Sequence, residues 1–512
     1  MDRSEGGPVD AVLASPPRAI TAVEEPGRAP AGDVTTAVAV DRFARVLFCT
    51  ALVLGLLRFA RLSEWSLWID ESLTWADIHH GIEGGEIKNP LGYWLIGWAV
   101  EACGGTATEW SLRILPAIAG WLCIPAAFLA FRGLFGERRA AVASLLLAVS
   151  SWHLYWSQNA RFYTFAQLAT LVGAWLLLSA LARGRPVLAV LGIGIAAGSA
   201  LFHPSTVLLL PALALLPAAL ELLGRPIAPG SKRVARFLGL ASVVCGVVAI
   251  PWAWQTWQTY TYQKGQDATL AAAASSIAHF ARTTGFFVTP LLGTALLCGA
   301  WVAWRSRRGA DAFAVLLVLG VLALGVVAAS IARVSAQYVF VVLPWIALVA
   351  ALPVGDGRPG PFGRRGEIGW ILVLAVPALV TSALYMTVRR GERPQWREAY
   401  QYVLNAREPG EQILGMDATV GEFYLAPGNT DLRRPTALAW LEYYHLLGRV
   451  PEHWAARGRR AWYVVNPEQF AGWDPRDAER FQKFLREECR LDAVWPLYVE
   501  SRDLSVWVYR RD

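Results

Sequence analysis

No glycine-rich phosphate loop of the Walker or Rossmann type opens a helix in this 512-residue chain, which argues against use of a cytoplasmic nucleotide. No nucleic-acid motif accompanies the formal net charge of +7. The six cysteines (Cys49, Cys103, Cys123, Cys245, Cys298 and Cys489) show no metal-ligand spacing. Most of them fall inside apolar runs and read as small core residues. The pair His79-His80 has no spaced partners, which argues against a zinc site. No Asp-x-Asp motif occurs in the loops assigned below to the outer side, so a divalent metal is not indicated. No internal repeat is apparent.

Apolar sequence is abundant. Hydrophobic residues make up 55% of the chain, and mean hydropathy is +0.37. This composition excludes an ordinary soluble enzyme and fits a polytopic membrane protein, whose spans need about 20 residues each. The 24 tryptophans agree, because Trp favours the membrane interface. Residues 1–40, rich in Pro, Gly, Ala and charge, read as a disordered cytoplasmic tail rather than a signal peptide. The first span, 42–62, is then a retained anchor. Further spans read at 110–131, 140–155, 162–182, 187–202, 205–223, 237–257, 288–304, 312–332, 337–353 and 367–388. The total is about 11 to 13. Pro90 to Cys103 is apolar, but as a helix it covers only about 21 Å, so it lies along the membrane surface.

Alternate loops differ in charge. One set carries Arg132, Arg138, Arg139, Arg183, Arg185, Arg225, Lys232, Arg233, Arg236, Arg305, Arg307, Arg308, Arg358, Arg364 and Arg365. The other carries only Lys88, Arg161, Lys264, Arg282 and Arg333. The positive-inside rule puts the first set in the cytoplasm. The chain then lies in the cytoplasmic (inner) membrane with its N-terminus inside. Asp70-Glu71 and the C-terminal region face outward. From about Arg389 the long apolar runs stop. Pro394–Arg407 and Asp474–Cys489 have helical spacing. Gln412–Met416 and Ala461–Val465 read as buried strands, and Ala493–Val499 with Leu504–Tyr509 as a strand pair. The domains are therefore 1–40, a membrane domain 41–390, and a small extracytoplasmic α/β domain 391–512.

Polar residues of the membrane domain gather in the outer loops. Asp70 is the best candidate base; otherwise it is an interfacial acid or a helix cap. Glu71 is either a second acid or a favourable charge in a helix's first turn. Lys88 is a phosphate ligand or a snorkelling interface lysine. Ser151–Tyr163 holds Tyr155, Gln158, Arg161 and Tyr163. Its guanidinium among rings suits a phosphate-linked sugar, and an aromatic belt with one interface Arg is the plainer reading. His203, before Pro204, lies at a third outer turn. A carboxylate facing converging cations suits proton removal from an acceptor and departure of a phosphate.

Several patches, in order along residues 45–425, resemble one family. They are Ile69-Asp70-Glu71-Ser72; Lys88-Asn89-Pro90-Leu91-Gly92-Tyr93-Trp94; Trp110-Ser111-Leu112-Arg113 with Leu115-Pro116, then Leu134-Phe135-Gly136; Tyr155-Trp156-Ser157-Gln158 with Ala160-Arg161 and Tyr163; Gln337-Tyr338 with Leu343-Pro344; and Gln395-Trp396-Arg397-Glu398-Ala399. The chain looks like a bacterial membrane glycosyltransferase related to protein O-mannosyltransferases and to the aminoarabinose transferase that modifies lipid A. These are proteins of the GT-C fold, with surface jaw helices in the first outer loop. The resemblance implies a polyprenyl-phosphate-linked sugar donor, membrane lipid partners, and a protein, lipid or glycan acceptor on the outer face. By the same carry-over Asp70 is the base, Lys88 a donor-phosphate ligand and Arg161 a further phosphate or substrate contact. Tyr93, His203, Gln337 and Tyr338 join the binding set. Asn89, Asn159 and Gln337 depart from the family's usual residues, and Arg333 stands one turn before Gln337 to compensate. The rival function is a lipid-linked sugar flippase or transporter. It is disfavoured because the mid-span stretches are nearly charge-free.

Overall fold

The computed structural model describes residues 41–79, 90–242, 254, 258, 270–332, 334–355, 360–409, 411–416, 418–425, 438–440, 460–500 and 502–512. The helices of the apolar part are α1 (Arg42–Gly55), α2 (Ile69–His79), α3 (Pro90–Ala102), α4 (Glu109–Phe135), α5 (Glu137–Val149), α6 (Ser151–Ser157), α7 (Tyr163–Arg183), α8 (Pro186–Gly198), α9 (Leu210–Leu222), α10 (231–242), α11 (Leu270–Ser306), α12 (Gly309–Ala329), α13 (Leu343–Ala351) and α14 (Gly363–Met386). Among the described residues, five helical stretches are long and apolar enough to cross a membrane: Glu109–Phe135, Tyr163–Arg183, Pro204–Leu222, Gly309–Ala329 and Gly363–Met386. The bent pair Leu270–Thr289 and Leu291–Ser306 makes a sixth. Each of these coincides with a predicted span, except that the apolar window at 288–304 missed the first arm of the bent pair. The predicted spans at 187–202 and 337–353 are shorter apolar helices, Pro186–Leu201 and Ala336–Ala351. Most of the predicted span 237–257 lies outside the described residues.

Local chemistry sets the helix ends. The Thr108 hydroxyl accepts from the Ser111 amide at 3.1 Å and the Ser111 hydroxyl accepts from the Thr108 amide at 2.9 Å, a reciprocal cap that starts α4. Gly184, at φ 66°, closes α7 in the left-handed conformation. The predicted span 140–155 is broken at Ser150. Its backbone turns extended, and its hydroxyl caps α6 by accepting from the His153 amide. α7 and α8 meet through Gly173 and Gly192, where a Cβ on either would sit 2.6 Å from the other's carbonyl oxygen. α5, α13 and the 3-10 turn Ala336–Val342 fill the centre of the bundle.

Among the described residues, arginines of the basic loop set contact neighbouring segments at one end of the bundle. There Arg138 pairs with Asp41. Nearby, Arg139 pairs with Asp311 at 3.2 Å and donates to the Val354 carbonyl at 2.8 Å, while Arg308 donates to the Leu134 carbonyl. The other end carries α2, α3, α6 and the chain after α14.

That last part is a mixed sheet of strands β1 (Gln412–Gly415), β2 (Leu438–Trp440), β3 (Ala461–Val465), β4 (Arg490–Trp495) and β7 (Val506–Arg511), in the order β2-β1-β3-β7-β4. β1 runs parallel to β2 and β3, and β7 antiparallel to β3 and β4. Side chains alternate across it. Ile413, Trp462, Val464 and Val508 pack beneath α15 (Trp396–Ala406) and α16 (Ala418–Leu425). Leu414, Tyr463, Val465 and Tyr509 pack on α17 (Pro475–Glu488). The predicted strand Ala493–Val499 is split. Pro496 cannot donate to a ladder, so β4 ends at Trp495, and β5 (Tyr498–Val499) pairs with β6 (Arg502–Asp503) in a separate ribbon.

In α16, burial pushes the Glu422 carboxyl up to about 7, and its Oε2 has no hydrogen-bond partner. A value raised in the folded state favours folding at low pH, and this benefit disappears as pH rises through 7. Unfolding temperature is therefore expected to fall between about pH 4.5 and about pH 7 and to level off above that, and Glu422→Gln to flatten that slope. An unchanged slope in the variant would assign it elsewhere.

Candidate active site

α2 opens with Asp70 and Glu71 in its first turn. The two carboxylates are treated very differently. Glu71 is fully buried. Its Oε1 accepts from Arg113 Nε at 2.7 Å and from the Ala160 amide at 2.8 Å. Its Oε2 accepts from Arg113 Nη2 at 2.7 Å, Arg393 Nε at 3.3 Å and the Trp68 amide at 3.3 Å. Burial alone would raise its pKa. The Arg113 and Arg393 charges, with the hydrogen bonds from Arg113 and Ala160, outweigh that and hold it below the usual carboxylate value. Arg113 also donates to the carbonyls of Leu62, Trp65 and Ser66, so its five N–H donors are all used. Glu71 therefore has no lone pair free to take a proton. It corrects the expectation of a second catalytic acid: it is the anchor that fixes α2.

Asp70 is half-buried and, among the described residues, its carboxylate has no hydrogen-bond or ion-pair partner. Arg161 reaches the same turn. Its Nη1 donates to the Asp70 carbonyl at 3.2 Å and to Thr74 Oγ1 at 3.0 Å. Burial works against the Arg161 charge, but Asp70 first, then Tyr163, Tyr93 and Asp77, favour it, and the net shift is upward. The Arg161 Nε is buried without a partner. Its guanidinium lies 5.1 Å from the Phe162 ring centre, and Tyr93 on α3 packs against Phe162 at 4.6 Å.

Behind Arg161 the rings of Tyr163 and His203 lie 4.5 Å apart, and His203 and Tyr338 5.8 Å apart. Burial, then Arg161, pushes His203 down to about 3, so it stays neutral; its Nδ1 lies 2.7 Å from Ser205 Oγ. Gln337 accepts from the Ser335 hydroxyl at 2.8 Å. On the opposite flank, Tyr155 lies 4.5 Å from the Arg393 guanidinium.

One predicted ligand is placed away from the site. The Gln158 amide donates to the carbonyls of Leu57, Arg58 and Ala60, so it ties down the chain before α2. Lys88 and Arg333 lie outside the described residues. Among the described residues, no three His, Cys, Asp or Glu side chains form a metal-binding group.

Arg113 and Arg393 were not assigned to the site from sequence. Arg113, one turn into the apolar helix α4, is itself a signal, because such a charge needs a buried partner. Arg393 carried no comparable sign. It follows Gly391, which sits at φ 66° against Trp65, where a Cβ would come within 2.3 Å of the ring. Gly391→Ala is therefore expected to lower stability by about 1–3 kcal/mol, read as a drop in unfolding temperature of the detergent-solubilised protein.

Residues 87–228 match the dolichyl-phosphate-mannose-protein mannosyltransferase family. No curated protein matches the chain in sequence. Among solved structures, the apo form of ArnT from Cupriavidus metallidurans aligns with a TM-score of 0.52 at 16% identity, covering 91% of this chain and 97% of that one. The same enzyme bound to undecaprenyl phosphate aligns with a TM-score of 0.50 at 15% identity and the same coverage. The chain is thus a multi-pass membrane protein with the GT-C fold. Within it, segment 87–228 carries the sequence pattern of the mannosyltransferase family.

Proposed function

We propose that the protein is a glycosyltransferase. It moves a hexose or pentose from a polyprenyl-phosphate-linked donor to an acceptor at the outer face of the cytoplasmic membrane, with Asp70 as general base. The observation that carries this reading is the contrast within α2. One carboxylate is locked by two arginines, while its neighbour is left without a partner among the described residues, beside the Arg161 guanidinium. In the reaction, an acceptor oxygen or nitrogen bonds to the anomeric carbon while its proton passes to the Asp70 carboxylate. The bond from that carbon to the phosphate oxygen breaks, and the electron pair leaves on the phosphate. Attack from the opposite face inverts the anomeric centre. Arg161 neutralises the developing charge, joined by Lys88 as the family resemblance implies.

Two further facts support the reading: the fold is shared with an ArnT solved with undecaprenyl phosphate bound, and residues 87–228 match a lipid-phosphate-mannose transferase family. The unlike charge of the two loop sets supports an N-terminus in the cytoplasm and a C-terminal domain outside. The test is mass spectrometry of envelope glycans and lipids from a deletion strain and an Asp70→Asn strain. Both are expected to lack the same sugar-bearing species. A deletion strain with an unaltered envelope would remove the proposal.

A further inference from the structure

Two cavities meet beside the candidate site. The first is an apolar slot of about 330 Å³, walled by Leu146, Leu292, Leu343, Ala347, Leu374 and Ala378 from α5, α11, α13 and α14. Its volume lies at the small end of the range for ligand pockets, about 300–1,000 Å³. The second is a polar chamber of about 120 Å³ that includes Tyr155, Tyr385, Arg389, Glu392 and Glu500. Ser151, Phe287, Thr289 and Thr381 line both, so the slot opens into the chamber.

The chamber has unmet hydrogen-bonding capacity. The Tyr385 hydroxyl is buried without a partner. Glu392 is 8% exposed, and among the described residues its carboxylate accepts no hydrogen bond. Its cations stand off, Arg389 at 3.6 Å and Arg502 at 4.0 Å, and Arg502 is itself bound to Glu468 at 2.6 Å. Glu500 is likewise 3.8 Å from Arg389. Three of the chamber's residues, Thr289, Glu392 and Glu500, hold φ values of 60°, 54° and 55°. Such backbone is costly for residues other than glycine.

Two carboxylates against one guanidinium in the lining make a poor seat for a phosphate. They suit a head group that donates hydrogen bonds, a hydroxyl or an ammonium. We propose that slot and chamber together bind the acceptor. It is an amphiphile whose apolar chain fills the slot and whose hydroxyl- or amine-bearing head reaches Glu392, Glu500 and Tyr385. The word acceptor rests on the transferase reading; the binding site does not. Tyr155 joins the chamber to α2, since its ring lies 4.5 Å from the Arg393 guanidinium, which donates to Glu71 beside Asp70.

The test uses the full chain in lipid nanodiscs and two photoreactive probes with the same diazirine-bearing dodecyl chain. One probe ends in a glucosyl group, the other in a phosphate. The glucoside is expected to label peptides containing residues 287–292 and 374–381, and the phosphate to label them about tenfold less. Leu292→Trp and, independently, Ala378→Phe are expected to cut glucoside labelling about tenfold. Two blocking variants are used so that one misfolded protein does not decide the result. Labelling of these peptides by the phosphate probe as strong as by the glucoside overturns the assignment, as does glucoside labelling indifferent to both blocks. Asp70→Asn is expected to keep the labelling and lose sugar transfer. If transfer persists in that variant while labelling behaves as expected, the base falls and the site stands. If transfer is lost but the glucoside does not label, the site falls and the base stands.

Discussion

Asp70→Asn is expected to slow sugar transfer by about two to four orders of magnitude, with the unfolding temperature unchanged. The substitution keeps size and shape and removes only the ability to take a proton. No described side chain hydrogen-bonds to the Asp70 carboxylate, and the Asp70 carbonyl that holds Arg161 at 3.2 Å is untouched. The measurement is the initial rate with a polyprenyl-phosphate sugar and purified protein, alongside a melting curve. A variant that melts normally and transfers at full rate would sink the base assignment.

The second large effect concerns stability. Glu71→Ala, or Arg113→Ala, is expected to cost about 3–5 kcal/mol, because each leaves a fully buried charge without its partner. Arg393→Ala is expected to cost less, since its Nε meets Glu71 at a longer 3.3 Å. Denaturant unfolding in detergent checks the order. If Glu71→Ala left stability intact but abolished transfer, the residue would belong to the chemistry after all.

Much of the architecture was legible in the chain. Long apolar runs announce helices such as Gly309–Ala329 without ambiguity, and the short Pro90 run was readable as too short to cross. Breaks inside apolar sequence were harder. Ser150 stops α5 through one side-chain hydrogen bond, a local event that hydropathy averages away. The bend at Thr289 is announced by Pro290, which disfavours helical backbone in the residue before it, but a reading by hydropathy alone passes over that signal. Asp70 and Arg161 were both singled out from the sequence, and in the structure the Arg161 side chain reaches the helix turn that carries Asp70. Glu71 could not be resolved in advance. An acid at a helix start looks the same whether its partner is water or two arginines, and here those partners come from positions 42 and 322 residues away. Sequence shows which charges are expensive, and only packing shows which have already been matched.

Among the described residues, α2 and its flanks are bonded to the chain after α14. The Tyr424 hydroxyl takes the Leu67 amide at 2.7 Å and donates to Glu109 at 2.9 Å; Ser72 meets Thr419 at 2.6 Å; and Arg393 grips Glu71. The sheet-bearing module after α14 thus braces the helix that carries Asp70. Exchanging that module would disturb the helix that carries Asp70 as well as any surface the module displays.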